Sequence, residues 1–165
     1  MIIAIMGVAG CGKSTIGKIL AERLSLPFIE ADDFHSKGNV EKMRSGIPLS
    51  DEDRYPWLQS LSHELHSHEK TGAVLACSAL KENYRQILQK GLSEKIAWIY
   101  LEGTETILQE RMKNREGHFM PTTLLQSQLA AMEKPVYAHC LSIEKDPETI
   151  VTEILNSIRN NTTIH

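Results

Sequence analysis

Apolar residues along this chain come in short runs, and between the runs they recur every three or four positions. The runs are Ile2–Met6, 28–31, Ala73–Cys77, 96–101 and 138–143, each the length of a buried strand. The stretches between them read as helices. Over 14–24 the residues Ile16, Ile19, Leu20 and Leu24 share one face; Leu58, Leu61 and Leu65 mark a second helix, and Ile87 with Leu88 a third. Residues 104–115 begin at a capping threonine and carry Ile107, Leu108 and Met112 inward, and 122–132 form another helix. The last, 147–158, has proline in its first turn, where the missing N–H breaks no hydrogen bond. Strands and helices in alternation predict an α/β fold, a doubly wound five-stranded parallel sheet with helices on both faces. One domain spanning all 165 residues accommodates it, with no linker and no internal repeat. Ligands of such sheets gather beyond the carboxyl ends of the strands, so the polar segments there are the ones to inspect.

The segment after the first strand, residues 7–14, reads Gly-Val-Ala-Gly-Cys-Gly-Lys-Ser. It is a complete G-x-x-x-x-G-K-S/T phosphate loop in the strand–loop–helix setting that the motif requires. Its glycines let backbone N–H groups turn inward around phosphate oxygens, and the helix that follows points its positive end at the same anion. Gly7, Val8, Ala9, Gly10, Cys11, Gly12, Lys13, Ser14 and Thr15 are therefore the expected nucleotide-binding set. Lys13 can reach the β- and γ-phosphates of a nucleoside triphosphate as a point charge, and the Ser14 hydroxyl can ligate the Mg²⁺ bridging them.

Composition narrows the partners. A net charge of -3 exerts no general pull toward nucleic acid or an anionic membrane, and no apolar run approaches the ~20 residues that span a bilayer. The N-terminus lacks the basic stretch of a secretory leader. Three scattered cysteines, Cys11, Cys77 and Cys140, make no disulfide framework and fit reduced thiols in the cytoplasm. Cys11, inside the phosphate loop, reads as a small filler residue or as an oxidation-sensitive thiol. His63, His66 and His68 lack a nearby further ligand and read as a solvated helix face. The Asn-Lys-x-Asp guanine reader and the Asp-x-x-Gly switch element are absent, which argues against a GTPase switch.

Phosphoryl transfer to an alcohol requires a carboxylate near the attacking hydroxyl. The cluster Glu30-Ala31-Asp32-Asp33-Phe34-His35 closes the second strand, and Asp32 is the preferred base, or a residue that orients Mg²⁺ through water. Asp33 competes for the role, since neighbours on a strand point to opposite faces. Arg111 and Arg115 stand i, i+4 on one helix, ahead of a lid over about 113–122 that holds Gly117 and Pro121. They can neutralise charge on the transferred phosphate. Residues 34–57, rich in hydrogen-bonding and cationic groups, form the expected acceptor-binding segment. Within it Asp51–Asp53 can open a helix while Arg54 projects toward a carboxylate.

These segments, taken together and in order, resemble the P-loop gluconate kinases, the thermoresistant gluconokinase family. The resemblance is carried by residues 6–14, 32–39, 41–49 (Glu-Lys-Met-Arg-Ser-Gly-Ile-Pro-Leu), 51–58 (Asp-Glu-Asp-Arg-Tyr-Pro-Trp-Leu), 76–85 (Ala-Cys-Ser-Ala-Leu-Lys-Glu-Asn-Tyr-Arg), 100–103 and 117–120. It implies a P-loop fold of the nucleoside-monophosphate-kinase-like type, and ATP- and Mg²⁺-dependent phosphorylation of D-gluconate at its 6-hydroxyl. It also implies a homodimer. In that reading Asp32 lies beside the acceptor hydroxyl, and His35, Arg54, Lys81 and Arg85 face gluconate or the transferred phosphate. Lys37 joins them, although Lys37-Gly38 replaces a more basic pair of the family. Arg111 and Arg115 match its lid-flanking cations. A shikimate-like or nucleoside monophosphate kinase, and a nucleotide-gated binding protein, are the alternatives.

Overall fold

The computed structural model describes residues 1–114 and 121–162. Five strands, β1 (Ile2–Met6), β2 (Phe28–Glu30), β3 (Ala73–Cys77), β4 (Ala97–Glu102) and β5 (His139–Ser142), form one parallel sheet in the order β2-β3-β1-β4-β5. Every residue of β1 and β3 is buried, which explains why their sequences are apolar without alternation. The helices are α1 (Lys13–Leu24), α2 (Lys37–Arg44), α3 (Asp51–Ser67), α4 (Glu82–Gln89), α5 (Glu105–Lys113), α6 (Thr122–Ala131) and α7 (Pro147–Thr162). Helix α1 packs with α7, and α3 packs with α4. The doubly wound five-stranded parallel sheet expected from the alternation is the one found.

Local differences have local causes. The second run stops as a strand at Glu30, and Ala31–Phe34 closes into a 3-10 turn, so Asp32 and Asp33 stand on a turn and not on a strand. Helix α2 was not legible as a periodic pattern, because Val40 and Met43 are its only large apolar residues. Its start is fixed by the Ser36 hydroxyl, which accepts from the Asn39 backbone N–H at 3.1 Å. Helix α3 begins with a capping box: Ser50 accepts from the Asp53 N–H and Asp53 accepts from the Ser50 N–H. The acidic first turn at 51–53 is thus a helix start, as read from the sequence.

Register gathers the chemistry. Met6 pairs with Cys77 and Tyr100, and Glu30 pairs with Ala76. The phosphate loop, the 3-10 turn and the Ser78 loop therefore leave the sheet side by side at its carboxyl edge.

Candidate active site

The phosphate loop is built on left-handed backbone at Gly10 (φ 82°) and Gly12 (φ 94°), conformations that side chains resist. At Gly10 a methyl group would also come within 3.0 Å of Met112 Cγ, so α5 presses directly on the loop. Gly12 opens α1, and the helix starts without a side-chain cap, leaving its first N–H groups for an anion. The Lys13 ammonium donates back to the Val8 carbonyl at 3.2 Å. On the other side of the loop, Ala9 N–H donates to Gln128 Oε1 of α6 at 2.7 Å.

Beside the loop lies a cavity of about 260 Å³. Ala9, Gly10, Gly12, Lys13 and Ser14 line it from the phosphate loop, Glu30 adjoins Ser14, and Asp32, Asp33, His35 and Arg54 line it as well. Met43, Leu49, Trp57, Met112 and Leu124 supply the apolar surface, while Ser78, Ser127 and Gln128 add polar groups. Both aspartates line it, because the 3-10 turn removes the strand alternation that was expected to separate them. Ser14 Oγ donates to the carboxylate of Glu30. Burial raises the Glu30 pKa, with Asp32 adding repulsion, against the opposing pull of the Ser14 hydrogen bond and of Lys13.

His35 lies stacked on Trp57, with ring centroids 4.3 Å apart and planes 15° from parallel. The Trp57 indole N–H donates to the Ala31 carbonyl at 2.7 Å, which holds the stack against the turn. His35 Nε2 is 3.9 Å from Asp32 Oδ1. Burial lowers the His35 pKa and Arg54 adds to this, while Asp32 opposes. Arg54 donates to the Leu49 carbonyl and lies over the Tyr84 ring at 5.5 Å. It lines the cavity from near the start of α3.

Three expected acceptor residues do not line this cavity. The buried Arg85 guanidinium donates to the carbonyls of Ala79 (2.7 Å) and Glu133 (2.8 Å), to the Glu82 carboxylate and to the Tyr137 hydroxyl. Its donors are committed to joining two loops. Lys81 pairs with Asp51 at 3.1 Å, and Asp51 also accepts from the Tyr84 hydroxyl. Lys37 is exposed on the first turn of α2. Arg111 stands on the far flank of the loop, in a recess shared with Cys11, Thr15 and Asn114, and donates to the Ile143 carbonyl. Arg115 and most of the expected lid lie outside the described residues.

Glu30 and Gln128 were not assigned from sequence. Glu30 stood in plain view in the carboxylate cluster, two positions before Asp32. Gln128 carries no local signal, since only packing brings it to a loop 119 positions away. Among the described residues no group of three or more His, Cys, Asp or Glu side chains is arranged to hold a metal. No helix among them is long and apolar enough to cross a membrane.

The shikimate kinase family model matches residues 9–159. Among curated proteins, a gluconokinase of Arabidopsis thaliana is 44% identical, covering 96% of this chain and 93% of its own length. The thermosensitive gluconokinase of Escherichia coli K12 is 48% identical over 79% of this chain and 71% of its own. Among solved structures, a gluconokinase from Sinorhizobium meliloti 1021 superposes with a TM-score of 0.87 at 39% identity, covering 99% of this chain and 97% of the other.

Proposed function

This chain belongs to the gluconokinase family and is a kinase acting on gluconate, and on that premise we propose that it moves the γ-phosphate of ATP to the 6-hydroxyl of D-gluconate. The observation that carries the reading is the single cavity in which the phosphate loop faces Asp32, His35 and Arg54. ATP lies along residues 7–15, with Lys13 drawing charge off the β- and γ-phosphates. Arg54 meets the gluconate carboxylate, and His35 a hydroxyl. Asp32 accepts the proton of the attacking oxygen as its bond to phosphorus forms and the bond to the ADP oxygen breaks. Arg111 serves the nucleotide from the loop's outer flank, and Arg115 supplies a second cation to it.

The touching hydroxyl of Ser14 and carboxylate of Glu30 are hard oxygen donors that suit Mg²⁺, and these two residues would hold it. Bound there, Mg²⁺ offsets phosphate charge that Lys13 alone cannot neutralise. Glu30 must be ionised for that task, and its raised pKa sets an acid limit on metal loading.

A shikimate-like acceptor is the second reading, favoured by the family model matched over 9–159. Coupled ADP release measured side by side with D-gluconate, shikimate and AMP separates the two. Turnover with gluconate alone is expected; turnover with shikimate or AMP in its place rejects the assignment. ATP binding without any turnover would indicate a nucleotide-gated binding protein. A cytoplasmic homodimer completes the proposal, and light scattering on the eluted protein checks its stoichiometry.

A further inference from the structure

A polar chain runs through the cavity wall behind the acceptor side. Asn39 is 6% exposed, and its Nδ2 lies 2.8 Å from the Asp53 backbone carbonyl and 3.4 Å from His35 Nδ1. A carbonyl oxygen can only accept, so the amide turns its nitrogen, and not its oxygen, toward Asp53. That nitrogen has a second proton, directed at His35 Nδ1, which must then be the lone-pair nitrogen of the ring. The ring proton is left on Nε2, at the edge that faces Asp32 Oδ1 across 3.9 Å. A doubly protonated ring would set two donors against each other at Asn39. The His35 side chain is also only 4% exposed, packed on Trp57 with the Arg54 cation nearby.

We propose that Asn39 is a positioning residue that holds His35 as the Nε2–H tautomer, so that His35 offers the acceptor site one hydrogen-bond donor and no proton acceptor. His35 then cannot take the substrate proton. Its N–H steadies Asp32, or an oxygen of the acceptor lying beside Asp32, and the task of base is left to the carboxylate. The inference rests on the gluconate reading only for the identity of that acceptor.

Long-range ¹H–¹⁵N imidazole correlations on the ligand-free, labelled enzyme at neutral to alkaline pH test it directly. The His35 signals are identified among the seven histidines by their loss in His35→Gln. The expected pattern is a single Nε2–H tautomer. An Nδ1–H ring, a mixture or an imidazolium overturns the proposal, and this readout needs no folded variant of Asn39. In Asn39→Ala the tautomer is expected to become mixed and the gluconate KM to rise roughly five- to tenfold, with the KM for ATP unchanged. A tautomer and a gluconate KM that both stay put overturn it. His35→Gln, whose amide nitrogen reaches the Nε2 position, should retain more kcat/KM than His35→Leu; the reverse order also counts against the donor role. Should the spectrum agree while gluconate is not phosphorylated, the substrate assignment fails and the tautomer stands.

Discussion

Glu30 and Asp32 are two residues apart, yet the change from strand to 3-10 turn between them gives them different surroundings. Glu30 ends β2 against the Ser14 hydroxyl, where burial dominates its pKa; the Asp32 side chain is 68% exposed and looks into the cavity. A carboxylate with open access to a substrate oxygen is the better proton acceptor, and one locked to the phosphate-loop serine is the better cation holder. Asp32→Asn should therefore lower kcat by about 10²-fold or more while ATP binding, followed by calorimetry, is unaffected. An undiminished kcat would move the base to Asp33, which lines the same wall. The carboxylates were legible in the sequence as a cluster, but which of them meets Ser14 was not, because the pair spans 16 positions and is made by sheet register.

At the scale of elements, the side chains that sequence assigned to the acceptor are divided between the cavity wall and the packing between loops. Arg85 ties the 79–82 loop to the 133–137 segment, and Glu133 reinforces the tie by donating its N–H to Leu80 and accepting from Glu82. Ala79 sits at φ 42°, a left-handed conformation costly to a residue with a Cβ, and the Arg85 bond to its carbonyl helps to hold it. Lysine cannot reproduce that planar fork. Arg85→Lys should reduce unfolding free energy by roughly 2–4 kcal/mol, read from urea midpoints, with little change in the gluconate KM. A large KM change at full stability would return Arg85 to the acceptor site.

The start of α3 gives a pH signature. The Ser50 N–H and the Lys42 ammonium hold Asp53 down from 3.8 to about 2. A carboxyl depressed in the folded state adds stability above its unfolded pKa, and that contribution is lost as pH falls from 3.8 toward about 2. Asp53→Asn should thus lose stability less steeply across that acid window than the parent protein does. Equal slopes in an acid titration of the urea midpoint would contradict this.

Across the whole molecule, one cavity is lined both by the phosphate loop and by the proposed acceptor residues, so each proposed substrate should stabilise the fold by binding only its native form. A non-hydrolysable ATP analogue at a hundredfold its Kd is worth about 2.7 kcal/mol, a rise in Tm of roughly 5–10 °C for a domain of this size. Gluconate should produce its own rise, and the two together more than either; a flat response to gluconate by differential scanning fluorimetry would disprove a preformed acceptor site. The strands, the helix alternation and the phosphate loop could be read along the chain because each depends on local periodicity or on glycines at fixed spacing, whereas the strand order is set by the packing of the sheet. The segments proposed to bind the acceptor stood out there only by residue types suited to that chemistry. Which of those residues share a cavity could not be read there. Arg54 and Arg85 are both cations beside polar loops in the sequence, and only the packing of α3 and α4 sends one to the cavity and the other into the core. Side-chain direction in three dimensions is set by contacts between segments far apart in sequence, and no local pattern encodes those.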